Sequence, residues 1–502
     1  MRTYLPVIVC WLLLGAAAPP ASAQEAPEGI LLSFSDLHFD PFGFPGLTDT
    51  LRTSPVWQWP GIFKAASPNN GFGSYGSDVN YNLFISALEK MRAVHPRPNF
   101  IVMTGDFLSH DFGSTFQQKT GIYNSDSLFA FVYKTLQFVT NTVEAYFPGI
   151  TLFPVLGNND SYCGDYQAET SGLFFNQVSA LWYPLVRKVA GKKAFEASFR
   201  RGGYYAAQNP ADSGHRIIVL NTVVYSSSYD AKKYPNYCND SIPDSAAIWQ
   251  TAWLRTQLRE CREQRQKAWL LYHVPPGINA YSSSSGWGDC ASNITGFWKN
   301  GYNQAFLDLL TEYKDVVALN MAGHTHMDHF ELLLDSTLNP YNFVHITPAI
   351  SPIFANNPVF EEITYLKGSA IWKDYTAWYF QGFTGDSAAN TWKKEYTFSQ
   401  TYGVPLITAG TLLQAFVRIY VDSSTRANFI RFYNASNTVS PAITEKTFLA
   451  YWCALGFLSP AGYGQCACSQ SVENALLQKE NASPHKERPS SQKKKKPQSP
   501  QK

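Results

Sequence analysis

Residues 30–40 read ILLSFSDLHFD: a mainly apolar run, Ile30–Ser35, leads straight into Asp36-Leu37-His38. A short apolar run closed by polar, turn-forming residues reads as a buried strand. Here a carboxylate and an imidazole do the closing. The pattern recurs along the chain. Phe100–Thr104 leads into Gly105-Asp106, Thr151–Leu156 into Gly157-Asn158-Asn159-Asp160, and Arg216–Leu220 into Asn221. Ala268–Tyr272 ends at His273, and Val316–Met321 at Gly323-His324-Thr325-His326. Helical candidates lie between these runs, among them Tyr81–Val94 behind a possible Asp78 cap, and Ala247–Gln264. Strands alternating with helices imply a layered α/β architecture. In such sheets the ligand site forms beyond the carboxyl ends of the strands, where nearly every candidate ligand of this sequence lies.

Five segments carry the chemistry together: Asp36-x-His38, Asp106-x-x-x-His110, Gly157-Asn158-Asn159-Asp160, His273 and His324-x-His326. Hydrolysis of a phosphate ester needs neutralised phosphoryl oxygens and a nucleophile made from water near neutral pH. Two cations about 3.5–4 Å apart meet both needs, because a water between them loses its proton readily. One carboxylate must bridge the ions, with imidazoles and further oxygen donors in the remaining positions. Mixed nitrogen and oxygen donors suit zinc, manganese or iron better than calcium or magnesium. Gly105, Gly157 and Gly323 permit sharp turns and close backbone approach beside the ligands.

The order D-x-H, G-D, G-N, H and G-H-x-H resembles the calcineurin-like metallophosphoesterase superfamily. Fuller segments resemble its acid sphingomyelinase-like phosphodiesterases: SDLHFDP (Ser35–Pro41), TGDFLSHD (Thr104–Asp111), Gly202-Gly203-Tyr204-Tyr205, His273-Val274-Pro275, TPAISP (Thr347–Pro352), Asn356-Asn357-Pro358 and WKKEYTFSQTY (Trp392–Tyr402). The likeness runs from about residue 30 to about residue 468. It implies a four-layer αββα sandwich as catalytic core over residues 24–335. A mainly helical, disulfide-containing subdomain is expected over 336–469, with a disordered basic tail over 470–502. It further implies that Asp36, His38 and His326 hold one metal, that Asn158, His273 and His324 hold a second, and that Asp106 bridges them, the metals being zinc. His110 then matches a histidine placed to protonate the leaving group; the alternative role is to orient the phosphate. Asp328 and His329 are candidates for holding a ligand tautomer, whereas His95 and His215 read as surface residues.

Asn159 departs from the superfamily pattern, which has histidine there, and an amide cannot deliver a proton. Either His110 does all the acid work, or the chain is a weakly active protein that binds phosphate ligands. The G-N-N-D variation and Met327-Asp328-His329-Phe330 also resemble endopolyphosphatases, so a polyphosphate substrate is the in-class alternative. Acid sphingomyelinases carry a lipid-handling domain ahead of the core, and only six residues lie here between the expected leader and the first strand. Soluble phosphate esters or nucleotide derivatives are therefore the expected substrates.

Arg2, the apolar stretch Leu5–Ala18 and Ala21-Ser22-Ala23 form the pattern of a secretory signal peptide over residues 1–23. Export to the exterior, or to a lysosome- or vacuole-like compartment, follows. The run Leu5–Ala18 is too short for a retained membrane anchor, and no later apolar run is long enough to span a bilayer. Seven cysteines remain after the leader, with Cys453, Cys466 and Cys468 clustered, so disulfides and one odd thiol are expected. Sequons stand at Asn239, Asn293, Asn434 and Asn481. The formal net charge of +2 hides a division: from Pro484 onward there are seven basic residues and one acidic residue. Lys493–Lys496 could make weak contact with a polyanion or an anionic membrane surface.

Overall fold

The apolar runs read above are strands, and their ends lie side by side. The computed structural model describes residues 27–66, 71–169, 171–229, 245–284, 293–369, 371–383, 391–440 and 442–468. The leader, Asn239, Asn481, Cys238, Cys290 and Lys493–Lys496 lie outside the described residues. Strands β1 (Glu28–Phe34), β2 (Phe100–Met103) and β3 (Thr151–Pro154) come first, then β4 (Tyr205–Gln208), β5 (His215–Val219), β6 (Lys267–Leu271) and β7 (Val317–Ala322). They are followed by β8 (His329–Leu334), β9 (Pro340–Ile346), β10 (Val359–Leu366), β11 (Trp372–Gln381) and β12 (Thr391–Thr397).

Two six-stranded sheets result, in the orders β12-β11-β10-β1-β2-β3 and β4-β5-β6-β7-β9-β8. β1, β2 and β3 are parallel, as are β5, β6, β7 and β9; the other pairings are antiparallel. The parallel strands β2 and β3 are buried throughout, as expected for strands covered on both faces. The sheets pack face to face. Trp269 of β6 meets Phe100 of β2 and Tyr365 of β10, with ring centroids 5.9 and 5.1 Å apart. His345 Nε2 of β9 lies 2.8 Å from the Glu361 carboxylate of β10.

Helices cover the outer faces. Tyr81–Val94 packs on β10 and Leu173–Val186 on β3; Ser245–Glu263 packs on β5 and β6, and Ala409–Val421 on β8 and β9. The helix Tyr81–Val94 starts at Asn80, whose side chain accepts the Leu83 N–H; the Asp78 cap is corrected to Asn80. The four-layer αββα sandwich is thus present, but its sheets extend through Thr397. Residues 359–397 are not the helix-and-loop region expected of them. Their burial alternates along β10 and β11, the period of a strand with one face turned inward, and polar residues such as Glu361 on that face hid the pattern. The mainly helical part begins at Phe398 and contains the Cys453–Cys466 disulfide.

Cys163 is also disulfide-bonded, while Cys261 is a buried free thiol. Asn434 is buried and its amide donates to the carbonyls of Asn437 and Ser440 at 3.3 and 3.0 Å. That sequon is closed to a glycan in the folded chain. No described helix is long and apolar enough to cross a membrane.

Trp269 is fully buried between the sheets. Trp269→Ala is expected to cost about 3–5 kcal/mol of stability through the cavity it leaves, read by denaturant unfolding. A loss under about 1 kcal/mol would contradict the packing described.

Candidate metal centre

Strand ends from both sheets deliver the donors. Asp36 and His38 follow β1, Asp106 follows β2, Asn158 follows β3, His273 follows β6, and His324 and His326 follow β7. The pairing of β1 with β2 continues into the loops: Asp36 N–H donates to Gly105 O at 3.0 Å and His38 N–H to Asp106 O at 2.9 Å. The segment after β9 ties the halves together, Ser351 N–H bonding Asp36 O at 3.0 Å and Ala349 N–H bonding His326 O at 3.2 Å. Two glycines permit this crowding. A Cβ on Gly157 would stand 2.1 Å from Asp106 Oδ1, and one on Gly323 would stand 2.0 Å from Ser35 Oγ.

The imidazoles are aimed by main-chain carbonyls. His38 Nδ1 donates to Leu108 O at 3.0 Å and His273 Nδ1 to Thr104 O at 2.7 Å. Their Nε2 atoms therefore turn to the centre, the usual second support of a metal-binding histidine. His38 Nε2 lies 3.2 Å from His326 Nε2 and 3.5 Å from Asp106 Oδ2. His273 Nε2 lies 2.9 Å from Asn158 Oδ1 and 3.3 Å from Asp106 Oδ2. Asn158 presents its oxygen because its Nδ2 donates to Asp165 Oδ1 at 2.7 Å. Among the described residues, three sets each bring one donor atom per side chain within 4.8 Å: Asp36, His38, Asp106; Asp106, His273, His324; and His38, His110, His326. Asp106 belongs to two of these sets.

These donors fit a pair of cations. Asp36 Oδ1 is buried and has no hydrogen-bond partner, a costly condition for a carboxylate oxygen that a cation relieves. Burial alone would raise the Asp36 carboxyl, yet His326, His273 and His38 hold it below the usual range. Asp106 is likewise held well below its usual value against burial, by His273, His38 and the Asn159 N–H. Burial would lower His38 and His273, but Asp106 and Asp36 overcome it and push each up to about 9. His324 falls to about 4 through burial and the charge on His273. His326 falls to about 3 through burial, which outweighs Asp36. Without metal, two anions are balanced by protons on two imidazoles.

His110 is half-buried, its ring stacked on His38 with centroids 3.9 Å apart. Its Nδ1 lies 2.9 Å from Asp78 Oδ1, and its backbone N–H donates to Asp78 Oδ2 at 2.8 Å. Asn159 is turned toward Asp106. Its backbone N–H and Nδ2 donate to the two oxygens of Asp106 at 2.8 and 2.9 Å. A cavity of about 670 Å³ opens beside the cluster, lined by Asp106, His110, Asn158, His324 and His326 and running on over aromatic side chains. Asn159 lines a separate cavity of about 300 Å³.

Residues 31–328, which contain every candidate ligand, match the sequence model of the calcineurin-like phosphoesterases. The chain belongs to the calcineurin-like phosphoesterase family. Membership makes it a metal-dependent phosphoric ester hydrolase with a dinuclear centre. It is similar to acid sphingomyelinase-like phosphodiesterase 3b of Homo sapiens, 26% identical over 472 residues, 91% of this chain and 94% of that one. It is 28% identical over 474 residues to cyclic GMP-AMP phosphodiesterase SMPDL3A of Mus musculus, covering 92% and 97%. Sphingomyelinase phosphodiesterase C of Dictyostelium discoideum is 25% identical over 456 residues, covering 88% and 92%.

In this phosphoesterase three carboxylates have partners that the sequence reading did not assign to them. Asp78 holds His110, and Asp165 turns Asn158. Asp160 accepts the N–H groups of Phe107, Leu108 and Gly157 at 2.8, 3.2 and 2.9 Å and so clamps the loop that carries Asp106. Asp328 bonds the hydroxyls of Tyr375 and Tyr396, and His329 Nδ1 bonds Met327 O, so neither supports a candidate ligand. His215 is buried and paired with Asp212 at 2.8 Å, which corrects the surface reading; His95 is half-buried beside Glu362.

The raised pKa of His38 and His273 sets a pH signature. In the metal-free protein their stabilising contribution is complete below pH 6.5 and is lost as pH rises through about 9. Chelator-treated protein should thus lose thermal stability between those pH values. Metal-loaded protein, whose imidazoles must be unprotonated to ligate, should instead lose it toward acid. Parallel curves for the two forms would contradict the assignment.

Proposed function

We propose that this phosphoesterase is a phosphodiesterase of an oxidising, extracytoplasmic compartment that hydrolyses small soluble phosphate esters, nucleotide-derived diesters foremost. One observation carries the substrate class: carboxylates and aromatic or apolar side chains line the main cavity, and no lysine or arginine does so among the described residues. A long polyphosphate requires cationic side chains along its track, so endopolyphosphatase is the weaker reading. Aromatic rings beside the phosphate end suit a base or another flat arm. The similar Mus musculus protein is a cyclic GMP-AMP phosphodiesterase, which supports the same class. The disulfides at Cys163 and Cys453–Cys466 agree with an oxidising compartment.

In this reading Asp36, His38 and His326 hold one ion, Asn158, His273 and His324 hold the second, and Asp106 joins them. Imidazole with carboxylate and amide oxygen suits zinc. The bound pair supplies charge neutralisation for the phosphoryl oxygens and an acidified water. The protein does the rest. His110 gives the leaving oxygen a proton from Nε2, since Asp78 occupies Nδ1 and fixes the tautomer and ring plane. Stacking on His38 keeps that ring at the cavity wall. Asn159 is a positioning residue: by holding both oxygens of Asp106 it orients the shared carboxylate. The substitution of the usual histidine is then compatible with a working enzyme, and the weakly active phosphate binder loses its main support.

His110→Ala should lower kcat about 100-fold or more on a dinucleotide, whose alkoxide leaving group needs a proton. On a 4-nitrophenyl diester, whose leaving group needs none, the loss should stay under about tenfold. Equal losses on the two substrates would contradict the acid role. Wild-type protein should also cleave the dinucleotide faster than long-chain polyphosphate or sphingomyelin vesicles, and the reverse order would overturn the substrate class.

A further inference from the structure

The lining of the main cavity also includes Glu331, His329, Tyr281, Tyr433, Tyr451 and Ile278; the ring of Tyr433 lies 5.2 Å from that of His329 and 5.4 Å from that of Tyr451. Glu331 lies on β8, is 3% exposed, and its Oε2 is buried without a hydrogen-bond partner. A strand interior is a costly place for such an oxygen. Burial alone, with no basic side chain opposing it, pushes this carboxyl well above the usual range. His329 Nδ1 donates to Met327 O at 3.0 Å, and burial lowers this imidazole to about 4. Its Nε2 is therefore a lone-pair acceptor near neutral pH. Glu331 Oε2 thus has no hydrogen-bond partner among the described residues, and His329 Nε2 is a second acceptor in the lining of the same cavity.

We propose that Glu331 and His329 form a specificity subsite that reads N–H donors carried by the non-reacting arm of the phosphate ester. Burial favours the neutral acid in the absence of a partner; two N–H groups would stabilise the carboxylate, which accepts them in parallel, the pattern offered by the amino-and-imino edge of a guanine-type base or, less directionally, by a primary ammonium. Tyr281, Tyr433 and Tyr451 add ring surface for either. The subsite belongs to the same cavity as the metal centre, so an ester held at both ends has its phosphorus fixed between them. This inference rests on the phosphodiesterase reading for its catalytic test and not for its binding test.

The catalytic test compares kcat/KM for 4-nitrophenyl diesters that differ in one arm: guanosine against inosine, which lacks the exocyclic amine, and 3-aminopropyl against n-butyl. Wild-type protein should favour the N–H-bearing member of at least one pair by about tenfold or more. The favoured pair identifies base or ammonium as the group read. In Glu331→Gln that ratio should fall to within about twofold of unity, whereas general damage would slow all four esters and leave the ratio intact. No preference in either pair, or an unchanged ratio in the variant, overturns the subsite. If metal-loaded wild type cleaves none of the esters, the phosphodiesterase reading fails instead. Calorimetric binding of GMP, IMP, 3-aminopropyl phosphate and butyl phosphate to wild type and Glu331→Gln then decides the subsite by the same ratios.

Discussion

Five of the seven candidate ligands stand on left-handed backbone: Asp36, His38, Asp106, His324 and His326 have φ between 42° and 74°. For residues with a Cβ this conformation costs about 1–3 kcal/mol each. Folding tolerates it because the loops are pinned on both sides. Strand pairing runs on from β1 and β2 into Asp36 and His38, Asp160 gathers three N–H groups beneath Asp106, and the segment after β9 bonds Asp36 and His326. The strain turns donors from two separate sheets toward one point. Without the turn at each strand end, the side chains would follow the pleat and alternate between the two faces of their sheet.

Asp106 lies where these constraints meet. Its oxygens accept from Asn159 while His38 and His273 face it from opposite sheets. One carboxylate thereby couples the geometry of the two halves of the cluster. Asn159 stands beside it as a hydrogen-bond donor to both oxygens; in the proposed mechanism the proton comes from His110, on the wall of the cavity.

The strands that carry ligands were legible because apolar runs ending in Asp, Asn or His stand out against polar turns. The seven candidate donors could be picked out because each closes such a run. The strands from Val359 onward were harder to read. β10 carries Glu361 on its buried side and β11 alternates aromatic with polar residues, so neither forms an apolar block. The partners of the supporting carboxylates were hidden for another reason. Asp78 lies 32 residues from His110, and Asp160 lies 52 and 53 residues from the N–H groups it holds in the Asp106 loop. Only folding brings such partners together, and no local spacing signals them. His215 misled because a histidine at a strand start reads as exposed until the loop holding Asp212 folds over it.

The central claim is that two cations share Asp106 between the ligands of the two sheets. The most direct measurement is a crystal structure of the metal-loaded protein, with diffraction recorded on both sides of the metal's absorption edge. Two anomalous peaks about 3.5–4 Å apart, one beside Asp36, His38 and His326 and one beside Asn158, His273 and His324, with Asp106 touching both, are the predicted result. A single ion, or a pair that leaves Asp106 unbound, would contradict it.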